Sequence, residues 1–209
     1  RGPSLEIGCG VGAFADDVPG FIGLEYALAA LLIPGFEGFR RVCGDAMCLP
    51  FTSGSTELVF SFNVLEHIGQ VDRAFAEIDR VCRPGGYLLL RPAWHCTRYA
   101  TELVHVLPYS ALSLRNRVTK AMLPLLRSRA YKFAARVPRR IWRRCSAGPI
   151  PTLEWRRLTP YHGPLAVGDE DAEASLDVHE AILYFTRRGY ACLSHPSRFR
   201  QLIAGHDIL

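Results

Sequence analysis

Long apolar runs and closely paired cysteines are both missing from this chain of 209 residues. No run approaches the roughly 20 apolar residues that a membrane-spanning helix requires, so a transmembrane protein is not indicated. The seven cysteines are scattered and form no Cys-x-x-Cys pair, which favours reduced thiols over a disulfide framework or a zinc site. These absences predict a cytoplasmic location and no bound metal.

Acidic residues are also missing from one long stretch of the chain. Residues 103–153 contain 11 Lys and Arg residues but no Asp or Glu, whereas the whole chain has a net charge of +5. The remainder is therefore mildly acidic, and the basic stretch needs its own explanation. Hydrophobic residues make up 49% and charged residues 22% of the sequence, as in ordinary globular domains, so a wholly disordered chain is excluded.

Short strand-like segments alternate with helical segments over the first half. Strand-like runs, most of them continuously apolar, are found at 4–8, 21–25, 40–43, 57–62 and 87–90. Apolar residues at helical spacing predict a helix over 72–82. This alternation predicts an α/β fold with a doubly wound, mostly parallel Rossmann-like sheet.

From about residue 95 the alternation is lost. Arg-rich helical stretches broken by prolines come first, and a helix at 176–188 then precedes strand candidates at 190–193 and 207–209. The sequence thus predicts three parts: a Rossmann-like core at 1–94, a basic helical insertion or lid at 95–168, and a C-terminal helix with strands at 169–209 that complete the core.

A glycine cluster follows the first strand. Gly8, Gly10 and Gly12 let the backbone turn sharply and leave no Cβ between it and a ligand. Glu25 ends the next strand and is well placed to accept hydrogen bonds from two ribose hydroxyls. Because Gly8-x-Gly10-x-x-Ala13 also satisfies the relaxed dinucleotide fingerprint, an NAD(P)-dependent oxidoreductase remains open at this point.

Five segments, in order along the chain, carry a resemblance to a known family. They are Glu6-Ile7-Gly8-Cys9-Gly10-Val11-Gly12, Glu25, Gly44-Asp45-Ala46-Met47-Cys48-Leu49-Pro50-Phe51, Val64-Leu65-Glu66-His67-Ile68 and Arg80-Val81-Cys82-Arg83-Pro84-Gly85-Gly86-Tyr87-Leu88-Leu89-Leu90. With these segments the chain resembles the class I S-adenosylmethionine-dependent methyltransferases, in the broad group related to small-molecule and ubiquinone-type enzymes. The resemblance implies the class I methyltransferase fold, here with a basic helical insertion before the last helix and strands.

The resemblance also implies S-adenosylmethionine as the cofactor, bound beyond the carboxyl ends of the strands. Glu25 would hold the ribose. Asp45 would accept a hydrogen bond from the adenine amino group, although an Asp that caps a turn is an open alternative. The predicted cofactor-binding residues are Glu6, Gly8, Cys9, Gly10, Gly12, Glu25, Asp45, Ala46 and Asn63.

The predicted chemistry places few demands on the protein. A sulfonium methyl is already activated, so the protein has mainly to align acceptor, methyl and sulfur. The expected acceptor is a small molecule or a saccharide, free or lipid-linked, methylated at oxygen. An oxygen acceptor of high pKa needs a catalytic base, and His95, just past the fifth strand, ranks before His67, for which a packing role is an equal alternative. A non-catalytic module that binds the cofactor and docks on a membrane or partner is a second alternative function.

The basic insertion has an amphipathic pattern. Cationic residues recur at steps of three or four, with apolar residues between them, at Arg129, Lys132, Arg136, Arg140 and Arg143. The pattern predicts a helix with one charged face and one buried apolar face, kinked or restarted at Pro138. Three interpretations are open: a lid packed on the sheet, an anionic membrane surface bound through residues 115–144, and an acidic or phosphate-bearing acceptor. Binding to a membrane surface would imply peripheral attachment of the protein to a membrane. Nucleic acid ranks last, because no recognised nucleic-acid module is present.

A group of acidic residues lies near the last helix. It comprises Asp169, Asp171, Asp177, His179 and Glu180. Their spacing supports no specific metal coordination sphere, and solvated acids are the favoured interpretation. Asp177 is predicted to be the N-cap of the last helix, with Glu180 at its third helical position.

Overall fold

The protein is described here from a computed structural model, which covers residues 2–34, 38–165 and 168–205. The chain divides into two compact units. Among the described residues, unit 1 comprises 2–34 and 38–92, and unit 2 comprises 93–165 and 168–205.

Unit 1 contains a five-stranded parallel sheet. Its strands are β1 (Ser4–Ile7), β2 (Phe21–Glu25), β3 (Arg40–Cys43), β4 (Thr56–Phe62) and β5 (Cys82–Arg91). They lie in the order β3-β2-β1-β4-β5, and each pairs with its neighbours in parallel. The helices are α1 (Leu28–Leu31), α2 (Val71–Val81) and a single 3₁₀ turn at Leu65–His67. The predicted doubly wound parallel sheet is confirmed.

The apolar sequence pattern explains this architecture. All four residues of β1 are buried, as expected for a strand with both faces covered. Helix α2 buries Val71, Ala74, Phe75, Ile78 and Val81 completely. Their spacing puts these side chains on one face of the helix, so the predicted helix over 72–82 is confirmed within one residue at each end.

The strand order creates a switch point beside β1. The chain passes from β1 to β2 and β3 on one side, then crosses to β4 and β5 on the other. In open parallel sheets, ligands bind beyond the carboxyl ends of the strands at such a reversal. The loops after β1 and β4 therefore mark the expected ligand site in unit 1.

Unit 2 is mainly helical. Its helices are α3 (Arg98–Thr101), α4 (Leu114–Arg127), α5 (Arg129–Ser146), α6 (Val178–Thr186) and α7 (Arg198–Ile203). Strands β6 (Trp155–Arg157) and β7 (Ala174–Leu176) pair in an antiparallel ribbon. Helix α6 is buried from Val178 to Phe185 and forms the centre of this unit. None of the described helices combines the length and the apolarity needed to cross a bilayer.

The basic helices break at a different residue from the one predicted. Helix α5 continues through Pro138, whereas α4 and α5 are separated at Ser128. The Ser128 hydroxyl accepts a hydrogen bond from the Tyr131 amide at 3.2 Å, so Ser128 is the N-cap of α5. The break predicted at Pro138 was therefore wrong, and Ser128 is the local sequence signal for the break that the structure has.

The three-part division predicted from the sequence also differs from the structure. Among the described residues, 168–205 group with 93–165 in unit 2 rather than with the sheet. Among the described residues, strand β7 pairs with β6, which was not predicted from the sequence, and not with the parallel sheet. Residues 190–193 form no strand, and the strand predicted at 207–209 lies outside the described residues.

Candidate functional site

Four loop positions meet at the carboxyl edge of the parallel sheet. Gly8 follows β1, Glu25 ends β2, Asp45 lies two residues after β3, and Asn63 directly follows β4. Because the strands are parallel and adjacent, these residues lie along one edge in the order Asp45, Glu25, Gly8, Asn63. The fold therefore brings together positions that are up to 55 residues apart in sequence.

The glycine loop has one crowded side and one open side. Gly8 has a φ of +74°, and a Cβ there would lie 2.2 Å from Cγ2 of Val64. Gly12 is similarly closed by the ring of Phe39, at 2.3 Å. Gly10 has a φ of +52°, and a Cβ there would meet no described atom within 4 Å. The backbone at Gly10 is thus open to direct contact with a ligand.

Glu25 is bonded to the glycine loop. Its Oε2 accepts a hydrogen bond from the Gly10 amide at 2.9 Å, and its Oε1 accepts one from the Ala27 amide at 2.9 Å. Each carboxylate oxygen has a further lone pair, so both can still accept a hydrogen bond from a ribose hydroxyl. The ribose contacts of Glu25 stay a prediction from the sequence. The hydrogen bond between Glu25 and Gly10 was not predicted, because it joins residues at the ends of separate strands.

Glu6 is a buried carboxyl group beside this loop. Its burial, and secondarily the charge of Glu25, raise the pKa of Glu6 to about 7. The Oε2 atom of Glu6 has no hydrogen-bond partner among the described residues. A nearby cationic group would favour the ionised carboxylate, and S-adenosylmethionine carries both a sulfonium and an ammonium group. The environment of Glu6 therefore fits this cofactor.

Cys9 contributes its side chain to the core rather than to the loop surface. It packs in an apolar cluster with Phe21, Leu31 and Phe60. Burial, followed by the charges of Glu6 and Glu25, raises the pKa of the Cys9 thiol to about 12. The thiol is accordingly unsuited to nucleophilic chemistry, and the predicted contact of Cys9 with the cofactor concerns its backbone.

Asp45 caps the turn after β3. Its Oδ1 accepts a hydrogen bond from the Met47 amide at 2.8 Å, and its backbone carbonyl accepts one from the Cys48 amide at 3.0 Å. The turn-capping alternative is therefore present in the structure. The cap uses Oδ1 of Asp45 and leaves Oδ2 for the predicted adenine contact. Ala46, the next predicted cofactor residue, is buried.

Asn63 and His67 follow β4. Asn63 is exposed with a φ of +52°, a left-handed conformation that Asn tolerates better than most residues. The backbone N–H of Asn63 donates a hydrogen bond to the Arg91 carbonyl at 2.9 Å. Nε2 of His67 lies 3.9 Å from Oε1 of the fully buried Glu66. The exposed imidazole of His67 thus lies close to a buried acid at the end of β4.

His95 lines a cavity of about 420 Å³ within unit 2. Its φ is +67°, and its amide donates a hydrogen bond to the Leu176 carbonyl at 2.8 Å. Tyr99, Trp155 and Asp177 are among the other residues that line the cavity. The volume is typical of small-molecule sites, so His95 borders a cavity of the size that such ligands occupy.

Several cations line the same cavity, together with acidic residues such as Asp177. Among the described residues, no ion pair is formed by Arg115, Lys132, Arg136 or Arg156. Burial lowers the pKa of Arg136, which is half-buried. A bound anion would relieve this cost of burying a charge. The sequence signalled the charge of this region but not the cavity.

Two arginines of α5 are buried against acids of α6 and its cap. Arg140 forms a bidentate pair with Asp177 at 2.5 and 3.1 Å, and Arg143 lies 3.1 Å from Glu180. Burial alone would raise the pKa of Asp177, but the hydrogen bond and charge of Arg140 hold it below its usual value. Burial raises the pKa of Glu180 despite Arg143. The solvated interpretation of Asp177 and Glu180 was therefore wrong.

Helix α6 confirms one further prediction and corrects another. Oδ1 of Asp177 accepts a hydrogen bond from the His179 amide at 2.9 Å, so Asp177 is the N-cap. The His179 side chain is fully buried, and burial lowers its pKa to about 4. His179 is therefore a neutral core residue at pH 7 and not a solvated group.

The fold and the site define a class of protein. A parallel sheet with a glycine loop after β1 and an acid at the end of β2 is a Rossmann-like cofactor-binding domain. The model of the family described as methyltransferase domain matches residues 5–90. This part of the chain matches the methyltransferase domain family, which confirms the resemblance drawn from the motifs to the class I S-adenosylmethionine-dependent methyltransferases.

Known proteins are similar over the same region. An uncharacterised methyltransferase of Mycobacterium leprae is 35% identical over 96 residues, which cover 41% of this chain and 35% of the relative. The malonyl-[acyl-carrier protein] O-methyltransferase of Methylococcus capsulatus is 44% identical over 55 residues, or 26% of this chain and 20% of that protein. This chain therefore spans well under two thirds of the length of these relatives.

A solved structure shows a similarity of the same extent. It is a S-adenosylmethionine-dependent methyltransferase of Thermotoga maritima, described as a possible histamine N-methyltransferase. It is 28% identical with a TM-score of 0.41, and the match covers 45% of each chain.

Proposed function

We propose that this protein transfers a methyl group from S-adenosylmethionine to the oxygen of a small-molecule or saccharide acceptor. The observation that carries the proposal is the open backbone at Gly10 beside the carboxylate of Glu25. A flat adenosyl group can lie on such a backbone while the acid receives the ribose hydroxyls. The family match over residues 5–90 supports the same cofactor.

The residues of unit 1 divide the work of holding the cofactor. Glu25 orders the loop through the Gly10 amide and presents its free lone pairs, whereas Glu6 places a carboxyl group near the end of β1. The cofactor supplies an activated methyl on a sulfonium. Alignment of such a methyl with an acceptor can lower the reaction barrier by about 7–11 kcal/mol.

The proposed acceptor site is the cavity of unit 2. Its volume of about 420 Å³ suits a small molecule or one end of a lipid-linked saccharide. Its unpaired cations favour an acceptor with a carboxylate or phosphate group, and its aromatic side chains favour a planar or sugar ring. The name of the M. capsulatus relative, an O-methyltransferase, supports transfer to oxygen.

His95 is the proposed base of this reaction. It lines the cavity, and its left-handed backbone holds the imidazole at a fixed place. We expect His95→Asn to keep the backbone conformation, which Asn tolerates, but to lower kcat by about 10²–10⁴-fold. The measurement is radiolabelled methyl transfer to small-molecule fractions of a cell extract, with mass spectrometry to identify the product that gains one methyl group.

A matched histidine variant separates the two candidate bases. His67→Gln removes the other imidazole, which lies at the end of β4 in unit 1. If His67→Gln abolishes turnover and His95→Asn does not, the base is His67. If neither extract fractions nor added acceptors gain a methyl while the cofactor binds tightly, the non-catalytic module replaces the enzyme. Tight binding of NAD(P)H without S-adenosylmethionine would instead favour the oxidoreductase.

A further inference from the structure

Helix α5 lies in unit 2 with its charged face turned inward. Its cations Lys132, Arg136, Arg140 and Arg143 follow at steps of four, four and three, which places them on one side of the helix. Arg140 and Arg143 are buried, and Lys132 and Arg136 are half-buried. This orientation is the reverse of the one predicted from the sequence.

The ion pairs explain why the charged side can be buried. Arg140 is held by Asp177 and by the carbonyls of Leu202 and Ala204, at 2.7 and 2.9 Å. Arg143 is held by Glu180 and Glu154, at 3.1 and 3.0 Å. These contacts fix the rotation of α5 about its axis. The apolar side of the helix is therefore turned away from the core of unit 2.

The apolar side of α5 is consequently exposed. Phe133 and Trp142 expose 57% and 65% of their surface, and Tyr131 and Ile141 are also exposed. Tyr131, Ile141 and Trp142 lie about 100–160° around the helix from Arg143, and Phe133 lies about 80° from it on the opposite flank. We call them the α5 stripe.

Helix α4 repeats this arrangement. Leu114, Val118, Met122 and Leu125 follow at steps of four, four and three and are all exposed, Leu114 by 78% and Val118 by 59%. We call these four residues the α4 stripe. Only Leu123 of this helix is buried. Helix α4 thus presents large apolar side chains in a regular row and the next helix exposes four more, unlike the single apolar residues scattered over most protein surfaces.

The charges around the stripes indicate what covers them. The exposed cations of the two helices include Arg117, Arg127, Arg129 and Arg139. No acidic residue lies between positions 103 and 153. Exposed apolar rows accompanied by cations alone match an interface of acyl chains and anionic headgroups.

We propose that α4 and α5 dock on an anionic lipid bilayer, with the α4 and α5 stripes entering the headgroup region. The helices would lie in the plane of the membrane surface and would not cross it. The exposed arginines would then bind lipid phosphates, while the buried arginines serve to orient α5. This docking is independent of methyl transfer and requires no cofactor.

Vesicle flotation tests the proposal with two matched double variants. Phe133→Ser with Trp142→Ser removes the most exposed part of the α5 stripe. Leu193→Ser with Phe199→Ser removes apolar residues of unit 2 that are just as exposed, 74% and 68%, but lie outside both stripes. We expect the full chain to float with phosphatidylcholine vesicles that contain phosphatidylglycerol. The first double variant should lower this partitioning at least about tenfold, and the second should leave it unchanged.

A second measurement uses the unaltered chain and covers the case of a poorly folded variant. Trp142 is the most exposed of the three tryptophans, at 65%, so the tryptophan fluorescence should shift to shorter wavelength with the anionic vesicles and much less with phosphatidylcholine alone. Absence of flotation and of any shift at low salt would overturn the proposal. So would equal losses in both double variants, or a concentration-dependent dimer abolished by the first one, which would show that a second copy covers the stripes.

Discussion

Glu6 and Glu25 are neighbouring acids with different surroundings. Glu25 ends β2 and accepts two backbone hydrogen bonds, from Gly10 and Ala27. Glu6 lies on β1 and is buried, with an oxygen that no described residue satisfies. Burial and the charge of Glu25 together raise the pKa of Glu6 to about 7. Glu6 is therefore poised to change charge near neutral pH, and Glu25 is the acid that orders the loop.

The raised pKa of Glu6 predicts a specific pH dependence of stability. The folded state keeps a proton on Glu6 up to about pH 7, whereas the unfolded chain releases it near 4.5. The free energy of unfolding should therefore fall as pH rises between these values. We expect Glu6→Gln to remove this decline, which amounts to about 3 kcal/mol for a shift of this size. Urea denaturation of both proteins at a series of pH values measures it.

The control for this prediction is the shape of the two pH profiles. Any constant offset between wild type and Glu6→Gln reflects packing of the amide and does not matter. A difference that grows from pH 4 to pH 8 supports the assigned pKa. Parallel profiles would contradict it.

Individual residues show what sequence patterns can reveal. The role of Asp177 as an N-cap was predictable, because capping is local and the helix begins next to it. The partner of Asp177, Arg140, is 37 residues away, and no local pattern indicates that pair. The positive φ of His95 was equally invisible, since it depends on the bond to Leu176.

Helix α5 shows how an amphipathic pattern can be assigned the wrong orientation. Its periodicity correctly predicted a helix with two contrasting faces. The general preference for burying apolar side chains then predicted the wrong face, because buried acids on α6 and its cap override that preference. Strand β1 carried no such ambiguity, since all four of its residues are buried.

The Arg140–Asp177 pair should be essential to the stability of this element. Arg140→Met leaves the largely buried Asp177 carboxylate without its charged partner, and we expect a loss of about 3 kcal/mol in the free energy of unfolding. Arg139→Met is the matched control on the same helix, because Arg139 is exposed and lies 3.9 Å from Glu154. It should cost less than about 1 kcal/mol.

Chemical denaturation at pH 7 measures both arginine variants. The contribution of the pair should also fade at low pH, because the pKa of Asp177 is held below its usual value and stability is lost as pH falls through it. Equal stability of the two variants would show that the pair does not fix the rotation of α5. The orientation of both stripes would then need another cause.

The molecule as a whole combines a familiar unit with an unfamiliar one. Unit 1 holds the family match and the predicted cofactor residues, and motifs in the sequence were enough to identify the family and to predict those residues. Unit 2 holds the cavity, the buried arginines and the exposed stripes, which arise from contacts between distant segments. The acceptor could not be predicted from the sequence, because the cavity proposed to bind it is formed by this second set of residues.

Calorimetric titration of S-adenosylmethionine into paired glycine variants tests whether the glycine loop holds the cofactor. Gly10→Ala places a methyl group on the open backbone beside Glu25. Gly85→Ala is the matched control, because Gly85 also has a positive φ and open space around it but lies on β5, near its start. We predict one binding site in the unaltered chain, an affinity at least about tenfold weaker in Gly10→Ala, and an unchanged affinity in Gly85→Ala. No binding by the unaltered chain, or equal affinities in all three proteins, would contradict the account.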